Sequence, residues 1–231
     1  KKIILKIGRE FDGKRCFGII PWEFSELPAH TVSSLKLFEK ILCPSRFCTD
    51  TFIDAGLENV STFPNLLFNT PPSHCRVPDQ NQDDQFLFYS HVNLASGINR
   101  KNPLGFIRAA REFIANRGGC KFLLRILTSD GSENELEEIM TAANDLPNFV
   151  VETSNKDDNN FFHSGLQMAD VFVSLHRAEG FGRQIAEAMA VKTSVICTNY
   201  SGNLDFCDPQ NSYLVDGDLI TCEPGDYFEN E

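Results

Sequence analysis

No stretch of this 231-residue sequence approaches the roughly 20 consecutive apolar residues that a bilayer-spanning helix needs. The opening KKIILKIGRE holds an apolar run of only three residues, well short of the roughly 7–15 of a secretory leader core. It reads as a strand over residues 3–7, and a strand at the very start leads to the expectation that the natural N-terminus lies upstream. Cys-x-x-Cys pairs and Cys/His clusters of zinc spacing are also missing, which excludes the common structural zinc folds. Positive charge is in deficit, with 21 Lys and Arg against 32 Asp and Glu, a formal net charge of −11. Nucleic acid is therefore excluded as a main partner, since phosphate neutralisation requires a basic surface. A small anion is not, because a few local cations and helix-end amides can hold a phosphate on an acidic protein. Internal repeats and low-complexity tracts are absent too.

What is present supports a folded core. Apolar residues make up 42% of the chain and aromatics 11%, with 20 Phe, a composition opposed to disorder. Eight cysteines are scattered along it, several of them (Cys43, Cys120, Cys197) inside or beside apolar runs. They read as reduced, buried thiols rather than a disulfide framework, which favours a reducing compartment and a cytoplasmic location.

Short β-rich runs alternate with helix-like segments. Strands are expected at 16–20, at the end of 36–43, and more weakly at 59–63, with Ser45 capping a helix that runs toward Gly56. Residues 69–85, NTPPSHCRVPDQNQDDQ, interrupt this pattern with three prolines and form the natural linker. A second series follows, with strands at 86–92, 121–127, 149–151, 171–175, 194–197 and 212–215. Helices are expected at 103–116, 133–144, 159–168 and 183–191. Strands alternating with helices of this length indicate β-α-β units and a parallel sheet covered on both faces. The expected organisation is a partial first domain over 1–77 and a Rossmann-like domain over 78–231. Ligands of open parallel sheets bind beyond the carboxyl ends of the strands, so the segments after those ends deserve scrutiny.

After the strand at 171–175 comes SLHRAEGFGRQIAEAMA, residues 174–190. Gly180 and Gly182 allow a tight turn and close backbone approach. The amides of Gly180, Phe181 and Gly182 then face outward at a helix start, where the dipole favours an anion. Glu179 on the turn and Glu187 in the second helical turn can reach one ligand at two separated points, and carboxylates accept well from sugar hydroxyls. The plain alternatives are an ordinary loop acid for Glu179 and a surface ion pair with Arg183 for Glu187. Arg183 at a helix start opposes the dipole unless an anion sits there.

The segment Glu179-Gly-Phe-Gly followed by Glu187-Ala-Met resembles the E-x7-E signature of GT4-type glycosyltransferases, which have the GT-B fold of two Rossmann-like domains. The resemblance implies that Glu179 contacts donor-sugar hydroxyls, that the amides around Phe181 and Gly182 lie against sugar and diphosphate, and that Glu187 holds the ribose. A second segment, HVNLASGINRKNPLGFIRAAREF, places Arg100 and Lys101 in a loop after the strand at 86–92. Two adjacent cations there suit stabilisation of a departing diphosphate, although a solvated basic turn would look the same. Arg-Lys-Asn-Pro resembles the family's phosphate-binding segment, while His91-Val92-Asn93 departs from its usual Gly-Arg.

Several residues carry two readings. His176 and Arg177 lie near the expected sugar site by position, and a structural hydrogen bond is an equal alternative for His176. Ser201 and Gly202, with Asn203, either approach the donor or form a turn and cap. Trp22-Glu23 and Pro44-Ser45-Arg46-Phe47 resemble acceptor-side segments, with packing as the alternative. Asp157-Asp158 reads as a solvated loop rather than a metal site, and the resembled family requires no such metal and no cofactor besides the donor.

The resemblance implies transfer of a hexose from a nucleoside diphosphate sugar to a hydroxyl acceptor with retained configuration. The acceptor could be a glycan, a lipid-linked sugar or a small molecule, and peripheral membrane contact stays open. Two other functions share the sequence features: a nucleotide-sugar-binding module without catalysis, and a nucleotide-sugar epimerase, which the E-x7-E string argues against. The resemblance also places the family's first strands before residue 1 and its closing helices after residue 231.

Overall fold

The structure, a computed structural model, describes residues 15–65, 85–155 and 159–222. The strand expected at 3–7, most of the linker and Asp157-Asp158 lie outside the described residues. The chain divides into two compact units. One contains the first 66 residues together with Ala178–Arg183 and Tyr200–Phe206, and the other contains Leu67–Arg177, Gln184–Asn199 and Cys207–Glu231.

Among the described residues the larger unit is built on six parallel strands: β4 (Phe86–Asn93), β5 (Cys120–Leu127), β6 (Phe149–Ser154), β7 (Val171–Ser174), β8 (Ser194–Thr198) and β9 (Tyr213–Val215). Their order is β6-β5-β4-β7-β8-β9. The chain grows outward from β4 in one direction, then returns to β4's other side with β7. This doubly wound order creates a switch point beyond the carboxyl ends of β4 and β7.

Side chains alternate across the sheet, as the period of two requires. On one face Phe88, Phe122 and Phe149 stand in register on β4, β5 and β6. Their rings stack at 5.1 Å and 6.2 Å between centroids. They join Val92, Leu124 and Ile126 in a core closed by Phe106, Ile107 and Ala110 from the helix Pro103–Asn116 and Ile139 from the helix Glu133–Ala143. The opposite face carries Tyr89, His91 and Arg125 beneath the helix Asn159–Met168. Tyr89 is fully buried and donates from its hydroxyl to the Phe162 carbonyl at 3.1 Å. Gly165 makes this approach possible, because a Cβ there would overlap the Tyr89 ring.

The smaller unit holds three parallel strands among the described residues, β1 (Phe17–Ile19), β2 (Lys40–Cys43) and β3 (Val60–Thr62), in the order β1-β2-β3. Its core gathers Ile41, Cys43, Cys48, Phe52 and Leu57. The helix Arg46–Asp54 starts where Ser45 predicts, with the Ser45 side chain accepting from the Cys48 amide. Burial pushes the Cys43 thiol up to about 12 and raises that of Cys48, so both stay protonated.

Two short helices depart from the sequence expectation. The helix Ala29–Leu35 has no side-chain cap, buries only Leu35 and contains weak helix formers, so local signals for it are poor. Arg100 and Lys101, expected in a loop, form the last turn of the helix Ile98–Lys101. In the other direction β6 runs to Ser154, past the expected end at 151, because β5 pairs with it as far as Leu127.

Candidate functional site

In the larger unit the candidate residues gather around the ends of β4 and β7. Arg100 is buried, and its Nε donates to the Ser96 carbonyl at 3.0 Å. Lys101 follows it, half-buried. Asn102 then adopts a left-handed conformation, φ 52, and joins this turn to the next helix. Its Oδ1 caps Gly105 at 3.1 Å, while its Nδ2 donates to the Leu175 carbonyl at 2.8 Å. The Arg177 amide donates to the Arg100 carbonyl at 2.8 Å. The basic turn after β4 is thus fastened to the segment after β7 by two hydrogen bonds, which fixes where both cations start.

His176 is 1% exposed, with Nδ1 3.0 Å from the Ser174 hydroxyl and its carbonyl accepting from Thr198 Oγ1 at 2.6 Å. The helix Arg183–Ala190 brings Gln184 and Glu187 to the same unit. Gln184 Nε2 lies 2.7 Å from His91 Nδ1 at the carboxyl end of β4. An amide nitrogen only donates, so Nδ1 accepts and the ring proton sits on Nε2. Glu187 Oε2 lies 3.5 Å from His163 Nε2.

Burial, followed by the charges of Lys101 and Arg125, pushes His91 down to about 4. The folded chain therefore keeps this ring neutral while an unfolded chain binds a proton below about 6.5. The associated stability is present above that unfolded value and is lost as pH falls from there toward 4, by about 3 kcal/mol in all. Urea unfolding between pH 7.5 and 4 is expected to show this loss, and His91→Asn is expected to flatten the slope by about one proton. An unchanged slope in that variant would refute the assignment.

The smaller unit holds the glycine turn, Ala178–Arg183, and the segment Tyr200–Phe206. The Glu179 amide donates to Ser201 Oγ at 2.9 Å, and the Gly202 amide to the Glu179 carbonyl at 2.9 Å. A Cβ on Gly202 would overlap the Gly180 carbonyl, so glycine is what allows the two backbones to meet. Ser45 Oγ donates to that carbonyl at 2.6 Å. Gly180 and Gly182 are buried, Gly182 has φ 85, and Phe181 packs its ring on Phe206. Arg183 is exposed. Ser201 has φ 78, a strained backbone for a side-chain-bearing residue, and its hydroxyl is engaged as described. Arg46 contributes its amide to Asp205 Oδ2 at 2.9 Å, and Trp22 donates from Nε1 to the Glu26 carbonyl at 2.8 Å.

A family model described as Glycosyl transferases group 1 matches residues 85–226, more than half of the chain. The chain belongs to this family. Among curated proteins no sequence match is found. Solved structures of glycosyltransferases with the GT-B fold share the architecture of this group 1 chain. TarM of S. aureus superimposes with a TM-score of 0.71 at 14% identity, covering 92% of this chain and 43% of that one. Anabaena HepE, solved with UDP and glucose, gives 0.67 at 16%, covering 93% and 62%. The UDP-forming α,α-trehalose-phosphate synthase of Burkholderia vietnamiensis gives 0.69 at 12%, covering 90% and 59%. At these identities the likeness is one of fold, and the group 1 chain spans 43–62% of the length of these three.

Three residues of the larger unit escaped the sequence reading. His163 and Gln184 are set by helix faces, and Arg125 by an inward position on β5 where apolar residues are the rule. The partner of the Ser45 hydroxyl lies 135 residues away, beyond any local signal.

Proposed function

We propose that this chain binds a nucleoside diphosphate sugar and serves a GT4-type retaining glycosyltransferase. What carries the reading is the strand–turn–helix course of residues 171–190. The helix opens at Arg183 directly after the glycine turn, which puts Glu179 on the turn and Glu187 in its second turn. Family membership supports it, as do the cations Arg100 and Lys101 beyond β4 at the switch point. HepE was solved with UDP and glucose, and the Burkholderia synthase is UDP-forming, which favours UDP as the nucleotide.

In this reading Glu187 holds the ribose hydroxyls and Glu179 those of the hexose. The Gly180, Phe181 and Gly182 amides, with Arg183, His176, Ser201 and Gly202, are assigned to the sugar and diphosphate. Lys101 and Arg100 stabilise the negative charge that develops as the bond from the anomeric carbon to the diphosphate breaks. The acceptor hydroxyl attacks from the same face and passes its proton to the departing phosphate oxygen, so configuration is retained. The donor is the only cofactor-like molecule the reading requires. The acceptor is a hydroxyl compound. Among the described residues no helix is long and apolar enough to cross a membrane. Cys43 and Cys48 are buried thiols held protonated, in keeping with the reducing, cytoplasmic location this reading expects.

A thermal-shift screen against UDP-, GDP- and ADP-sugars tests the proposal. One class of donor is expected to raise the melting point at concentrations well above its dissociation constant. No response to any of the three would count against the reading.

A further inference from the structure

We propose that His163 is a positioning residue that orients the Glu187 carboxylate toward ribose hydroxyls, and so makes the chain selective for ribonucleotides over deoxyribonucleotides. The inference rests on the assignment of Glu187 to the ribose.

His163 occupies the helix Asn159–Met168, and that helix is tied to the sheet on both sides of it. Arg125 Nη1 donates to the Phe161 carbonyl at 2.6 Å and to Ser164 Oγ at 2.7 Å. The Tyr89 hydroxyl donates to the Phe162 carbonyl at 3.1 Å. Arg125 is itself held by Glu152 at 2.7 Å and stacked over the Phe161 ring at 4.9 Å. The backbone that carries His163 is therefore fixed by a buried guanidinium and a buried phenol.

From this fixed base the imidazole reaches Glu187. The two side chains are each 13% exposed, and Nε2 lies 3.5 Å from Oε2. That nitrogen is shut off from solvent and makes no hydrogen bond of normal geometry. A buried ring nitrogen left in this state is costly. The contact is about half an ångström longer than an ordinary N–H···O bond, so a small rotation of either side chain completes it. A carboxylate has about four acceptor sites, which lets it take a donor from His163 and also hold two vicinal hydroxyls. Orienting a three-torsion side chain before the ligand arrives removes an ordering cost from binding. A histidine that only packed would help every ligand or none.

The test is calorimetric titration of the full chain with UDP, or with GDP or ADP if the screen shows it binds more tightly, and with the matching 2′,3′-dideoxynucleotide. The wild type is expected to prefer the ribonucleotide about a hundredfold, from two lost hydroxyl contacts. His163→Leu is expected to weaken the ribonucleotide about tenfold and leave the dideoxy form unchanged. His163→Gln, whose amide nitrogen can reach the same oxygen, is expected to recover most of the preference. If His163→Leu does not fold, His163→Asn, too short to reach, takes its place with the same expectation. Equal weakening of both nucleotides, or an intact preference in the variant, overturns the role of His163 while leaving Glu187 in place. A wild type that binds both forms alike overturns the ribose assignment itself.

Discussion

Glu187→Ala is expected to weaken binding of the donor nucleotide about a hundredfold, because two charge-assisted hydrogen bonds of about 1.5 kcal/mol each disappear together. The effect should be plain in melting curves. A ligand at 100 times its dissociation constant stabilises the native state by about 2.7 kcal/mol. At the same concentration the variant stands near its own dissociation constant and gains only about 0.4 kcal/mol. For a chain of this size that difference turns a shift of roughly 5–10 °C into one of about 1 °C. Asp157→Ala, in a polar segment remote in sequence from the motifs, is the control and should keep the full shift. Equal responses from the two variants would refute the assignment of Glu187.

Lys101→Met carries the second large effect. A cation opposite a departing diphosphate acts mainly in the transition state, and loss of one such group lowers turnover by about 10²–10³. Binding should register the same charge through a different ligand pair. The affinity for UDP is expected to fall by at least about tenfold, while that for uridine, which has no phosphate, is unchanged. The variant also has a structural signature, since the Lys101 charge is one of the causes that holds His91 low. Removing that charge is expected to move the His91 titration upward, measurable by NMR without any ligand. Uridine weakened as much as UDP would show that Lys101 supports the fold rather than the phosphates.

Much of this protein was legible along the chain. The helix Pro103–Asn116 falls where Pro103 and the apolar period place it, and the helix Asn159–Met168 likewise. The strands of the larger unit were found within a few residues because buried parallel strands are continuous apolar runs. The course of the chain through the glycine turn was legible for a related reason: a strand, a glycine-flanked turn and a helix form one local unit. Where elements depend on distant partners, the sequence is silent. β6 extends to Ser154 only because β5 lies beside it, and the helix Ala29–Leu35 lacks a cap and a strong apolar stripe.

By itself, then, the sequence determined the α/β class, the alternation that builds a parallel sheet, and the acids and cations worth interrogating. Local propensity and periodicity encode all of these. Tertiary structure alone decided that β7 returns to β4's free edge and so creates the switch point. It also brought the Glu179–Gly180 backbone against Ser201 and Gly202, and set His163 beside Glu187. The physical reason is common to these cases. A contact between segments far apart in the chain depends on strand order and helix placement, which no single segment contains.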